Sequence, residues 1–274
     1  MLANWIYGSP IWLVGAVITA LAVLASWGGL ILVYRWVPEE VRQAHNDALY
    51  YMGQTVGVLV TILLALVAVA VWQNFSRGDD VAALEAGRIG NLLRDSAGLP
   101  ESVRAPVRAR LKSYTDVVIG EEWPAQRAGR LQDASFRKGW RVLEGVDIPL
   151  ARYQPGGPGQ AAVEGEMLRA LDELYDARRS RILAAQAHLP GVVWTIMAIG
   201  AAMTVGCTFF FGMPRIWVHL LMTGAVAASL SLVFVLIIAL DYPFRGALSV
   251  STDAYQAVRE LNFGASPVTW TGRR

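Results

Sequence analysis

Four long stretches without a single Asp, Glu, Lys or Arg govern what this chain of 274 residues can become. They run over residues 11–34, 50–75, 191–212 and 216–240, and the shortest is 22 residues long. Crossing the hydrocarbon core of a bilayer takes about 20 helical residues. A soluble helix of that length carries charge on its outer face, so four such runs specify four transmembrane helices. Composition agrees: the chain is 54% hydrophobic and 17% charged, where an ordinary soluble domain carries about a quarter charged residues. No Lys or Arg precedes the first run. Its apolar stretch also exceeds the roughly 7–15 residues of a signal h-region, so it is expected to be retained as a span. Cys207 is the one cysteine and lies in the third run, which rules out an intrachain disulfide.

The runs divide the chain into residues 1–76 with spans one and two, a helical domain over 77–188, residues 189–241 with spans three and four, and a C-terminal segment over 242–274. The fold class expected is therefore an all-α integral membrane protein with a helical domain inserted between the second and third spans. Arginines near the span ends set the orientation. Arg77, Arg88, Arg94, Arg178, Arg179, Arg181, Arg245 and Arg259 lie on the side of the domain, against Arg35, Arg42 and Arg215 on the other. This places both termini and the large domain in the cytoplasm, and reads the arginines at 178, 179 and 181 as a basic cluster beside anionic headgroups. Trp12, Tyr34, Trp36, Tyr50, Tyr51, Trp72, Trp194, Trp217 and Tyr242 fall near span ends, as interfacial anchors do.

Within the insertion, helical spacing dominates. Asp79 or Asp80 reads as the cap of a segment through Val81, Leu84, Arg88, Leu92 and Leu93. Pro100 and Glu101 open a second helix carrying Val103, Val107, Leu111, Tyr114 and Val118 on one side. A break is expected at Trp123–Pro124, followed by a segment around Phe136, Trp140 and Leu143. The stretch YQPGGPG from Tyr153 is a loop. Val163, Leu168, Leu171, Leu174 and Tyr175 then mark one face of a long helix running into the arginine cluster.

The residues do not assemble a catalytic site. His45, His188 and His219 sit in separate segments without metal-ligand spacing. The glycines at 156, 157 and 159 lack the strand-turn-helix setting of a phosphate loop. Glu121 and Glu122 are neighbours, and adjacent helical positions diverge. The insertion holds 17 basic and 16 acidic residues, interspersed over 77–188; that is a solvated surface and not a nucleic-acid patch. The sequence points to no enzyme, no cofactor, no metal and no nucleic-acid partner.

The second span is more polar than the others, with Gln54, Thr55, Thr61, Gln73 and Asn74. Its small residues Gly53, Gly57 and Thr61, four apart, suit close helix packing, either within one subunit or against copies around an axis. Ile62, Leu66, Val69, Ala70 and Gln73 are candidates for a pore lining and gate, since apolar rings can gate by dewetting. The same stripe would also suit a lipid-facing helix. His45, Asn46 and Asp47, just before the span, are candidates for a pore entrance, while Asn46 or Asp47 also fits a helix N-cap.

These residues carry a resemblance. HND before the second span, LALVAVAVWQNF at its end and LEAGR beyond it, DARRSRI before the third span, TVGCTFFFG within it and LDYPFRG closing the fourth are similar to the bacterial bestrophin-like membrane proteins. The resemblance implies a four-span subunit of the bacterial inner membrane, assembled as a homopentamer around its second spans. Each second span would continue as a cytosolic helix through Glu85 and Arg88. The implied function is a pore-forming ion channel whose partners are its own copies, membrane lipid and inorganic ions. The large aromatic constriction of bestrophins is missing, because this stretch is Leu, Val and Ala. A membrane-anchored scaffold or interaction protein that does not conduct is the alternative. After the fourth span, Asp241, Pro243, Phe244 and Arg245 resemble the family's Pro-Phe-Gly segment. The acidic run that follows it in animal bestrophins is replaced by Arg, Gly, Ala and Leu, which argues against calcium activation.

Overall fold

The computed structural model describes residues 7–246 and 248–264. They form helices and turns, with no strand among the described residues. We number the helices α1 (Ile11–Trp36), α2 (Glu39–Ala44), α3 (Asn46–Asp95), α4 (Glu101–Val117), α5 (Trp123–Arg127), α6 (Ala134–Glu144), α7 (Asp147–Ala151), α8 (Pro158–Ala184), α9 (Gly191–Phe209), α10 (Ile216–Asp241) and α11 (Asp253–Phe263). Four of them, α1, α3, α9 and α10, are long and apolar enough to cross a membrane. The chain divides into two compact units. One takes in the chain up to Asn74 together with His188–Asp241, and the other takes in Phe75–Ala187 together with the chain from Tyr242 onwards.

In the first unit, α1 and α10 lie against each other along small residues. A side chain at Gly15 would meet Val235 at 3.3 Å, and one at Gly224 would meet the Trp27 indole nitrogen at 2.8 Å. In lipid, apolar burial gives helices little reason to associate, so close backbone approach and side-chain hydrogen bonds carry the packing. Trp27 Nε1 donates to the Leu220 carbonyl at 2.9 Å and Ser231 Oγ to Thr19 Oγ1 at 3.0 Å. Helix α1 stops at Trp36 because Val37 precedes Pro38 and takes an extended conformation.

Helix α3 is 50 residues long and unbroken. The expected cap at Asp79 or Asp80 does not exist: both carboxylates are exposed in mid-helix. What keeps the helix going is a buried stripe of Gly78, Ala82, Glu85, Ile89 and Leu92 in the second unit, spaced so that each residue covers the same side.

The second unit is a helical domain with one core. Helix α4 contributes Val103, Val107, Leu111 and Tyr114, all buried. The expected break at Trp123–Pro124 is absent. Instead the chain passes through one π turn, Val118–Glu122, and continues into α5 with Pro124 near its start. The Asp133 carboxylate caps α6 by accepting from the Ser135 N–H at 3.0 Å, and that bond holds its pKa below the usual range. Buried positions on α8 are Met167, Ala170, Leu171, Leu174, Ala177, Arg178 and Arg181; Leu168 points outward, with Met167 in its place.

Candidate functional site

Helix α3 buries one side within the first unit. Val60, Leu64, Val67 and Val71 are covered, and Gly200 on α9 admits Val60 so closely that an added Cβ would lie 3.0 Å from it. On the opposite side none of the described residues covers Thr55, Ile62, Leu66, Val69, Ala70 or Gln73, and Leu66 is 65% exposed. The five lining candidates therefore share one open flank of a helix whose other flank is packed. Of the three small residues, Gly53 faces Cys207, whose Cβ would lie 3.8 Å from an added Cβ, while Gly57 meets nothing within 4 Å and Thr61 is exposed.

The entrance candidates separate. Asp47 and His45 are exposed, and His45 Nδ1 donates to the Val41 carbonyl at 2.7 Å. Asn46 is the first residue of α3, and its side chain ties down the 210–215 turn. It accepts from Gly212 N at 2.8 Å and donates to Gly212 O at 3.3 Å. This turn is crowded, since a Cβ at Gly212 would fall 2.6 Å from the Gln43 backbone nitrogen. Beside it, His219 is buried with both ring nitrogens engaged. Nε2 donates to Thr208 O at 2.7 Å, and Nδ1 lies 3.0 Å from the Tyr34 hydroxyl, which also reaches the Met213 carbonyl at 3.2 Å.

The post-span motif is structural in its contacts. Asp241 is buried and accepts from the Leu189 N–H at 2.7 Å. In the domain, Pro243 lies so near Gly78 that an added Cβ would sit 2.8 Å away. Phe244 is buried edge-on to Trp123, with ring centroids 5.5 Å apart. Arg245 lies against Gly129, whose φ of +71° leaves no room or conformation for another residue.

Sequence reasoning missed a charged core in the domain. Arg178 and Arg181 are fully buried, so they are not a headgroup cluster; only Arg179 of the three is exposed. Arg178 Nη2 donates to Glu122 Oε1 at 2.7 Å. Arg181 donates from Nε to Glu85 Oε2 at 2.6 Å and from Nη2 to Glu122 Oε2 at 2.7 Å. The Tyr114 hydroxyl donates to Glu85 and accepts from Arg178, and Gln126 accepts from Arg181. Two guanidinium groups thus face two carboxylates. Burial opposes the charge on Arg181, yet Glu85 and its neighbours hold its pKa well above the usual arginine range. Burial, then Glu85, pushes both Tyr114 and Tyr255 far up, so both phenols stay neutral. The π turn makes this possible: Glu122 is aimed inward, while Glu121 pairs with Lys138 at the surface. The sequence does carry a signal: Arg178 and Arg181 continue the buried spacing of Leu171 and Leu174, and Arg179 falls off it.

Four helices long and apolar enough to cross a membrane, together with a helical domain built on a buried ion network, describe an all-helical membrane protein. A family model, the bestrophin-like domain, matches residues 20–255, and the chain belongs to that family. Solved structures share the fold. A bacterial bestrophin homologue from Klebsiella pneumoniae, solved by zinc phasing, superposes with a TM-score of 0.67 at 15% identity over 89% of this chain and 96% of its own. A point variant of the Klebsiella homologue gives a TM-score of 0.67 at 16% identity over 90% and 97%. Another crystal structure, described only as a membrane protein, gives 0.66 at 13% over 91% and 98%. No curated protein sequence matches significantly.

Proposed function

We propose that the protein is an oligomeric ion channel of the bacterial inner membrane, a pentamer with α3 of each subunit around the axis. Its exposed flank, Ile62, Leu66, Val69, Ala70 and Gln73, lines the path, with Leu66 and its neighbours as an apolar gate. His45 and Asp47 stand at the entrance of that path. The observation that supports this most is the two-sidedness of α3. One flank is packed and the other, with Gln73 among apolar residues, is left for a second surface or for water. Polar side chains facing lipid are costly and rare, whereas polar groups on a water path are ordinary. Membership of the bestrophin-like family agrees.

The test is ion flux from liposomes carrying the purified chain with Cys207→Ser. In that background Gln73→Cys and Leu66→Cys are expected to react with a charged thiol reagent and change the flux. Val67→Cys, on the packed flank, is expected to be inert. Flux unaltered by modification at 66 and 73 would exclude α3 as the lining. An oligomer without any flux would favour the non-conducting scaffold.

A further inference from the structure

In the membrane-spanning unit, the buried charge of Arg42 has no ion-pair partner among the described residues. Arg42, on α2, is 3% exposed. Its Cζ lies 3.6 Å from the centroid of the Tyr34 ring, and Nη1 reaches the Phe211 carbonyl only at 3.5 Å. Its Nε is buried without a hydrogen-bond partner. The nearby acids look elsewhere: Glu39 accepts from Gln43 at 2.8 Å, and Glu40 and Asp47 are exposed. An arginine does not shed its proton, and a buried cation needs a full counter-charge, which one ring face and one distant carbonyl do not supply.

Arg42 also lines a cleft of about 320 Å³ whose exposed wall is otherwise almost wholly apolar. His45 is the other polar group there, and the remaining lining is apolar, including Val37, Leu49, Met52 and Phe210. Met52 is 65% exposed, so the cleft reaches the outer surface of the unit, and the exposed Trp36 beside it suits the headgroup layer. With Nδ1 of His45 committed to Val41, its Nε2 makes no hydrogen bond among the described residues.

We propose that this cleft holds an anionic lipid, its phosphate on the Arg42 guanidinium with His45 at the rim and its chain along the apolar wall. A guanidinium fork matches two phosphate oxygens at once. Free phosphate would satisfy the same fork but gain nothing from the apolar wall, which is why a lipid is the occupant. The site does not depend on whether the protein conducts.

Native mass spectrometry of the detergent-purified full chain, titrated with phosphatidylglycerol, phosphatidylcholine or inorganic phosphate, tests it. Phosphatidylglycerol is expected to bind the wild-type subunit about tenfold more tightly than it binds Arg42→Gln, with phosphatidylcholine indifferent to the substitution. Equal retention of phosphatidylglycerol by both proteins overturns the proposal. Displacement of the lipid by inorganic phosphate at comparable concentration overturns the lipid assignment in favour of a free-anion site. Should Arg42→Gln fail to fold, the wild-type protein decides alone: no preference for phosphatidylglycerol over phosphatidylcholine sinks the proposal.

Discussion

Two regions of this molecule bury arginine, and they do so in opposite ways. In the domain, Arg178 and Arg181 face Glu85 and Glu122, and Tyr114, Gln126 and the Phe136 carbonyl take up further donors. In the membrane-spanning unit, Arg42 has a ring face and a long bond to one carbonyl. The first arrangement balances its charges and ties α3, α5, α8 and the π turn to one another, with Arg178 Nε and Gln126 Nε2 left unbonded. The second carries a charge without an ion-pair partner among the described residues. The lesson is that a buried charge is read by its balance: where the chain supplies the counter-charge the group is structural, and where it does not, an outside partner is implied.

The largest effect should come from unbalancing the first region. Arg181→Met leaves Glu85 and half of Glu122 buried without a cation, and breaking such a pair costs about 3–5 kcal/mol. Thermal unfolding followed by tryptophan fluorescence should show the loss, and a midpoint close to wild type would mean that water enters the core and the network is not dry. Next comes Gly139→Ala. The added Cβ would fall 1.8 Å from Glu122 Oε1 and 2.7 Å from Arg178 Nη2. Neither group can swing aside without leaving its partner, so overpacking of about 1–3 kcal/mol is expected. If the same melt shows no change, the Glu122–Arg178 pair is looser than its 2.7 Å contact implies.

What the sequence made legible divides along the same line. The spans could be read because lipid forbids charge over their whole length. The observed helices Ile11–Trp36, Gly191–Phe209 and Ile216–Asp241 follow the uncharged runs to within a few residues. In the domain the local signs misled. Asp79 and Asp80 have the chemistry of a cap, yet a tertiary stripe carries α3 past them. Trp123–Pro124 has the chemistry of a break, yet a π turn absorbs it. Arg178 and Arg181 look like surface charge, because the eye groups them with Arg179 and not with Leu171 and Leu174. Glu85 and Glu122 lie 37 positions apart in the sequence, so no local pattern announces that they meet. The open flank of α3 could be listed residue by residue, but its packed counterpart, Val60, Leu64, Val67 and Val71, emerges only in the folded unit.

Tyr114→Phe probes the first region more gently. It removes a buried hydroxyl that bridges Glu85 and Arg178, leaving both short of one partner, for about 1–3 kcal/mol. The phenol also has a pH signature. Its folded pKa is raised by burial and then by Glu85, well above the ordinary 10.0. A raised pKa contributes stability that is complete below about pH 10 and lost as pH rises from there through the folded value. Wild-type melting points should therefore fall on the alkaline side of about pH 10, and Tyr114→Phe should flatten that fall, leaving the share of Tyr255. A wild-type profile that is level in this range would mean that the phenols are not sealed.

The smallest shift, and the one whose sign matters most, belongs to Arg42→Met in lipid-free detergent. Removing the cation forfeits its stacking on Tyr34, about 0.5–2 kcal/mol. It also relieves a buried charge without a carboxylate partner and places an apolar side chain in an apolar cleft, which offsets that loss. The melting point should stay near wild type or rise slightly, opposite in sign to Arg181→Met. A loss as large as that of Arg181→Met would mean that Arg42 already has its counter-charge within the protein, supplied by a neighbouring copy, and the contrast between the two regions would collapse. A neutral or stabilising result, obtained beside the loss at Arg181, would separate the two kinds of buried arginine by experiment, as their partners separate them in the structure.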